Sequence, residues 1–140
     1  MSKHASYRLE IKEHHLDTYG HVNNATYIAL FEEARWEQIH KHGYGLDVVR
    51  KELKGPVILE MKVRFASEIK NREQVEIVSD IIEYKKKIFR MTQKLINSEG
   101  EIACEAELVG GLMDLRTRKL ILPTSEWLAA LNLSPEEIET

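Results

Sequence analysis

The chain has 140 residues, 43% of them hydrophobic and 31% charged, with a net charge of −3. That is the balance of an ordinary globular protein long enough to bury a core, and it argues against nucleic acid, whose partners carry a basic surplus. No apolar run approaches the roughly 18 residues of a membrane span, the opening MSKHASYRLE lacks a signal-peptide core, and the one cysteine, Cys104, has no disulfide partner, so a single domain over residues 1–140 in a cytoplasmic setting is expected.

Residues Tyr7–Lys12 alternate as YRLEIK, a half-buried strand with Tyr7, Leu9 and Ile11 on one face. A polar stretch from Glu13 to Asn24 leads into an apolar segment running from Ala25 to about His42. There Tyr27, Phe31 and Ala34 recur at helical spacing, beside Ile28, Leu30 and Ile39. Gly43 is a stop signal. The opening turns, ATYIALF, are apolar nearly all round, and such a helix must be enclosed on every side. Gly45 to Lys54 predicts one or two further helical turns, punctuated by Gly55-Pro56. From Val57 the pattern VILEMKVRF alternates strictly, with Val57, Leu59, Met61, Val63 and Phe65 facing one way. Glu60, Lys62 and Arg64 face the other.

Further strands are predicted at about Gln74–Ile82, Lys86–Asn97 and Glu101–Met113, joined by the charged EYKK region and the hairpin-like NSEG. Gly110-Gly111 suggests a bulge or bend in the last of them. After Pro123, TSEWLAALNLSPEEIE predicts a short helix and a further turn. One strand, one long helix and four successive strands predict an α+β fold, with an antiparallel five-stranded sheet wrapped around a long central helix. One sheet covers one side of a helix. A second copy of the chain is expected to cover the rest.

The polar stretch before the helix carries three histidines, Asp17, Gly20, Asn23 and Asn24. Asn23 or Asn24 suits an N-cap, Gly20 a tight turn, and a loop aspartate an Asx turn. A second reading joins them. A helix N-terminus presents free amide donors and the positive end of the dipole, which can polarise a carbonyl oxygen. Asp17, just upstream, can attack that carbonyl or activate a water, and His21 can orient groups or relay a proton. The histidines lack a metal-ligand spacing such as HExxH, so no metal is expected. Cys104 reads as a small core residue, and there is no GxSxG. The run Lys85-Lys86-Lys87 is either a solvated turn or a contact for the phosphates of a nucleotide-bearing substrate.

The segment DTYGHVNNATY from Asp17 to Tyr27, followed by FEEARW, resembles the hotdog-fold acyl-CoA thioesterases of the 4-hydroxybenzoyl-CoA thioesterase type. The likeness is to the bacterial branch acting on long-chain acyl-CoA, and it extends over nearly the whole chain through VRF, VEI and GLMDLRTRKLILP. It implies a hotdog fold, hydrolysis of acyl-CoA to free acid and CoA without cofactor, and a homodimer or homotetramer. It also implies Asp17 as the catalytic carboxylate and the amide near Asn24 as the donor to the thioester oxygen. HVNN is also similar to plant acyl-carrier thioesterases, which makes His21 a helper, although Tyr19 stands where their motif has an asparagine. Glu32 and Glu33, where another hotdog branch has a helix carboxylate, read as structural or as partners for Arg35. The acyl chain is expected beside Asn23 and Asn24 and along Tyr27 and Phe31 at a subunit interface, with Arg64, Lys86 and Arg90 near the CoA phosphates. The alternatives are a non-catalytic acyl-thioester binding module and an acyl-carrier-protein thioesterase.

Overall fold

The computed structural model describes residues 3–139. Their order is β1 (Lys3–Glu10), α1 (Asn24–Lys41), α2 (Leu46–Glu52), β2 (Lys54–Phe65), β3 (Gln74–Lys85), β4 (Ile88–Ile96), β5 (Ile102–Asp114), β6 (Lys119–Ile121) and α3 (Ser125–Ala130). The sheet runs β1-β3-β4-β5-β2, with β6 paired to β5, and every pairing is antiparallel. It therefore has six strands among the described residues, one more than the sequence pattern predicts. β6 takes over from β4 along β5, because β4 pairs as far as Gly110 and β6 begins at Leu112.

β3 runs past its expected end at Ile82 to Lys85, its register with β4 shifting between Ile81 and Glu83, and two other strands depart from their patterns for local reasons. β1 begins at Lys3 and ends at Glu10, earlier at both ends than the alternation indicates, because backbone pairing with β3 holds it from Lys3↔Ile81 to Glu10↔Gln74. In β2 the strict alternation breaks where the register shifts between Ile58 and Glu60. Leu59 is the extra residue and is 54% exposed, while Ile58, Met61 and Val63 pack on the core. β2 is an edge strand, which is why Pro56 is tolerated.

The bulge sits on β2 rather than at the glycines of β5. Gly110 and Gly111 serve close approach instead. A Cβ on Gly110 would lie 2.5 Å from the Val57 carbonyl oxygen and 2.6 Å from Phe89 Cζ, and one on Gly111 would lie 2.5 Å from the Lys87 carbonyl oxygen.

Helix α1 starts at a cap, with Asn23 Oδ1 accepting from the Ala25 amide at 2.9 Å. It ends before Gly43, whose φ of +86° is the left-handed conformation expected of a glycine stop. Tyr27, Leu30, Phe31, Ala34 and Ile39 face the sheet and are buried. The expectation that its first turns are enclosed on all sides fails within one chain. Ala25 and Ala29 are exposed and Ile28 is 39% exposed, because a single sheet can cover only one face.

A buried polar clamp fixes the helix over the sheet. Gln93 of β4 is fully buried, donates to the Phe31 carbonyl and to Ser79 Oγ at 3.0 Å each, and accepts from Arg35 at 2.8 Å. Its hydrogen-bonding capacity is used, so its burial is tolerated.

The tail forms α3 as its pattern predicts, capped by Thr124 Oγ1 on the Trp127 amide. Trp127 is 2% exposed and donates to the Tyr84 hydroxyl at 3.0 Å. Its ring meets Tyr44 edge-on at 5.4 Å and Phe89 at 6.4 Å.

Candidate active site

The segment Leu16–Val22 is a small closed loop. Leu16 and Val22 form an antiparallel bridge, the Asp17 amide donates to the His21 carbonyl at 2.8 Å, and the Gly20 amide donates to the Asp17 carbonyl at 3.0 Å. Gly20 has φ +79°, so a glycine is favoured at this turn. The side chain of Asp17 completes the loop, its Oδ1 accepting from the amides of Tyr19 at 2.9 Å and His21 at 3.2 Å. This is an Asx turn. Among the described residues no donor reaches Oδ2.

Val22 directly precedes the capping Asn23, so the loop and the helix start form one continuous piece. At the first turn the Ala25 amide donates to Asn23 Oδ1, and the amides of Thr26 and Tyr27 donate to the Asn23 carbonyl. The Asn24 amide has no acceptor among the described residues, and Asn24 is exposed. A free donor at the positive end of an 18-residue helix thus follows closely on a carboxylate with one open oxygen.

The connection after β2 closes another side. Glu68 Oε2 lies 2.5 Å from His21 Nε2. The Tyr27 hydroxyl donates to the Ser67 carbonyl at 3.4 Å, and its ring packs on Phe65 at 5.6 Å. Burial pushes the Tyr27 hydroxyl up to about 12 and the Cys104 thiol up to about 11, so both stay protonated at neutral pH. Glu68 carries no signal in the sequence, because only the fold brings it to His21.

The structure therefore gathers Asp17, His21, Asn23, Asn24 and Tyr27 at one end of α1. Tyr27 and Phe31 do not line an open groove, however, being 4% and 0% exposed on the sheet-facing side of the helix. The open space lies on a different face. A cavity of about 350 Å³ runs between α1, β2, β4 and α3, past Ile28, Trp36, Met61 and Trp127 among others.

Arg64 is exposed on β2, one residue before Phe65 and so at the Asp17 end of the sheet. Lys86 and Arg90 sit at or near the β3–β4 turn, beside Leu120 and Leu122, with Arg90 3.6 Å from Glu83. Arg90 stands six residues before the Ile96 end of β4, about 20 Å at 3.3 Å per residue, and Lys86 precedes the strand altogether. One chain does not bring them to Asp17.

Of the helix carboxylates, Glu32 acts electrostatically on Arg35, whose charge burial disfavours. Glu33 instead accepts from the Tyr7 hydroxyl, which that bond above all pushes up to about 12. Among the described residues no group of three or more histidine, cysteine, aspartate or glutamate side chains is placed to hold a metal ion. Among the described residues no helix is long and apolar enough to cross a membrane.

An antiparallel sheet packed on one long helix, in this strand order, defines the hotdog fold. A hypothetical protein from Staphylococcus aureus, solved in complex with CoA, superposes with a TM-score of 0.86 at 16% identity, covering 100% of this chain and 89% of that one. The chain belongs to the thioesterase-like superfamily, which residues 2–131 match. It is 27% identical over 110 residues to the acyl-CoA thioester hydrolase YbgC of Escherichia coli O6:H1, covering 78% of this chain and 82% of the relative. It is 24% identical over 115 residues to the long-chain acyl-CoA thioesterase FadM of Escherichia coli K12, covering 81% and 86%.

Proposed function

We propose that the chain is a thioesterase that hydrolyses acyl-CoA to a free carboxylic acid and CoA. The observation that carries this reading is the free Asn24 amide beside the closed Asp17 loop, in a chain of the thioesterase-like superfamily. The thioester oxygen accepts from that amide, and the helix dipole stabilises the negative charge that develops there in the tetrahedral transition state. Asp17 acts on the carbonyl carbon through Oδ2, directly or through a water it deprotonates. His21, held by Glu68, relays a proton. No cofactor enters the scheme.

A second copy of the chain covers the exposed Tyr19, Ile28 and Phe65 around the helix start, giving a homodimer or a pair of dimers in a cytoplasmic setting. Arg64 meets the CoA phosphates at the Asp17 end. Lys86 and Arg90 join it only when supplied by the neighbouring subunit.

The Asx turn favours a second reading, a non-catalytic acyl-thioester binding module, because two amide bonds already give Asp17 a structural role. A panel of acyl-CoA substrates followed by free-thiol release separates the two. Hydrolysis of at least one acyl-CoA supports the enzyme, and tight binding of all without thiol release supports the module. Faster release from acyl-carrier protein would assign the carrier thioester as the substrate. A single turnover in heavy-oxygen water that left the label in the protein would identify a nucleophilic Asp17, whose mixed anhydride with the acyl group water then opens at the Asp17 carbonyl.

A further inference from the structure

We propose that the cavity between α1 and β2 receives the acyl tail, and that α3 closes it, so that Trp127 and Leu131 set the longest chain accepted. This rests on the thioesterase reading above and names the part of the substrate that the reading leaves open. The argument starts on the helix. Asn24, Ile28, Glu32 and Trp36 are successive i+4 neighbours, so the residue carrying the free amide heads the same stripe that lines the cavity. A tail leaving a carbonyl held at Asn24 meets Ile28 first, which is 39% exposed within one chain. From Ile28 to Ile39 the stripe advances about 16 Å at 1.5 Å per residue.

The opposite wall suits a hydrocarbon. The sheet and α3 contribute apolar side chains alone, among them Ile58, Met61, Phe89, Met91, Trp127 and Leu131. The polar lining residues, Glu32, Arg35 and Gln38, all come from α1, and Arg35 is tethered sideways to Gln93. The volume, about 350 Å³, lies within the range of small-molecule sites. The far end is rigid. Trp127 is fixed by its hydrogen bond to Tyr84 and by the rings of Tyr44 and Phe89, and Leu131 beside it is 5% exposed.

Both tryptophans of the chain, Trp36 and Trp127, line this cavity, which gives a test independent of turnover. In a Trp36→Phe variant the remaining fluorescence reports on Trp127 alone. Dodecanoic acid brominated at its terminal carbon should quench that signal strongly, whereas the isomer brominated beside the carboxylate should leave it nearly unchanged. Equal quenching by both, or none by either, overturns the proposal.

Kinetics supply the second arm. Ile58→Phe adds volume from the edge strand without touching Asp17 or the helix start. It should lower kcat/KM for dodecanoyl-CoA relative to butanoyl-CoA by at least about tenfold, the scale of a methylene change in an apolar pocket. An unchanged ratio in a folded variant also overturns it. A wild-type protein that hydrolyses no acyl-CoA would remove the thioesterase reading, while the quenching result would still decide whether the cavity takes an apolar tail.

Discussion

Asp17 has a structural role in its loop and, on the thioesterase reading, a chemical one, and a single substitution separates the two. Asn at position 17 retains an Oδ1 that accepts from the Tyr19 and His21 amides, so the closed loop survives. It loses the negative charge and the basicity. Steady-state kinetics of Asp17→Asn should therefore show turnover reduced by roughly 10²–10⁴, beside a melting temperature close to wild type. Near-normal turnover in a well-folded variant would take Asp17 out of the mechanism. Asn23→Ala should behave oppositely, because Asn23 holds the first-turn amide of Ala25. Loss of that cap should cost about 1 kcal/mol in urea unfolding and alter the rate only indirectly. A fall in turnover as large as that of Asp17→Asn, without loss of stability, would place the Asn23 side chain in the chemistry.

At the scale of elements, the tightest constraint is the crossing of β5 between its neighbours. A methyl group on Gly110 has the Val57 carbonyl on one side and the Phe89 ring on the other, and a paired strand cannot easily retreat. Gly110→Ala should destabilise the protein by about 1–3 kcal/mol in chemical denaturation, the usual cost of overpacking. A change within error would show that β2 yields at its bulge. The long alternating strands, the central helix and its asparagine cap were legible because period and capping chemistry are local properties of sequence. β6 was not legible, since Lys119–Ile121 is too short to show a period and exists only because β5 offers a free stretch beyond β4. Nor could the sequence say which face of α1 is open. A segment apolar all round has no preferred side, so Tyr27 and Phe31 looked as available as Ile28. The sheet decides. The Asp17 and Asn24 end was readable because loop and cap are contiguous, whereas Glu68 and Trp127 reach their places only through the fold.

For the molecule as a whole, the buried weak acids set a limit at high pH. Burial pushes Cys104 up to about 11 from an ordinary 9.0, and Tyr27 and Tyr84 up to about 12 from 10.0. The folded chain keeps these protons while the unfolded chain releases them, so stability is full below pH 9 and falls as pH rises through the folded values. Melting temperatures measured across this range should decline from about pH 9 upward, and Cys104→Ala should flatten the first part of the decline. A flat profile in the wild type would contradict the sign. The exposed apolar residues beside the helix start make the other molecular prediction. Light scattering at micromolar concentration should show at least a dimer, because Tyr19 at 83%, Phe65 at 46% and Ile28 at 39% exposure leave apolar surface uncovered. A stable monomer would mean that the site is complete in one chain.

The local closure of the Asp17 loop has a consequence for how such a protein diversifies. On the thioesterase reading the reacting end is written in one short run, from Leu16 to Asn24, and apart from the Glu68 contact to His21 its geometry is kept by bonds within that run. The cavity proposed for the acyl tail draws its walls from α1, β2, β4 and α3, elements scattered along the chain. Mutations in those walls can accumulate one at a time without disturbing the carboxylate or the amide. On that reading, inheritance of the chemistry is nearly uncoupled from inheritance of the substrate, and lineages that share the loop are free to diverge in the acyl groups they process.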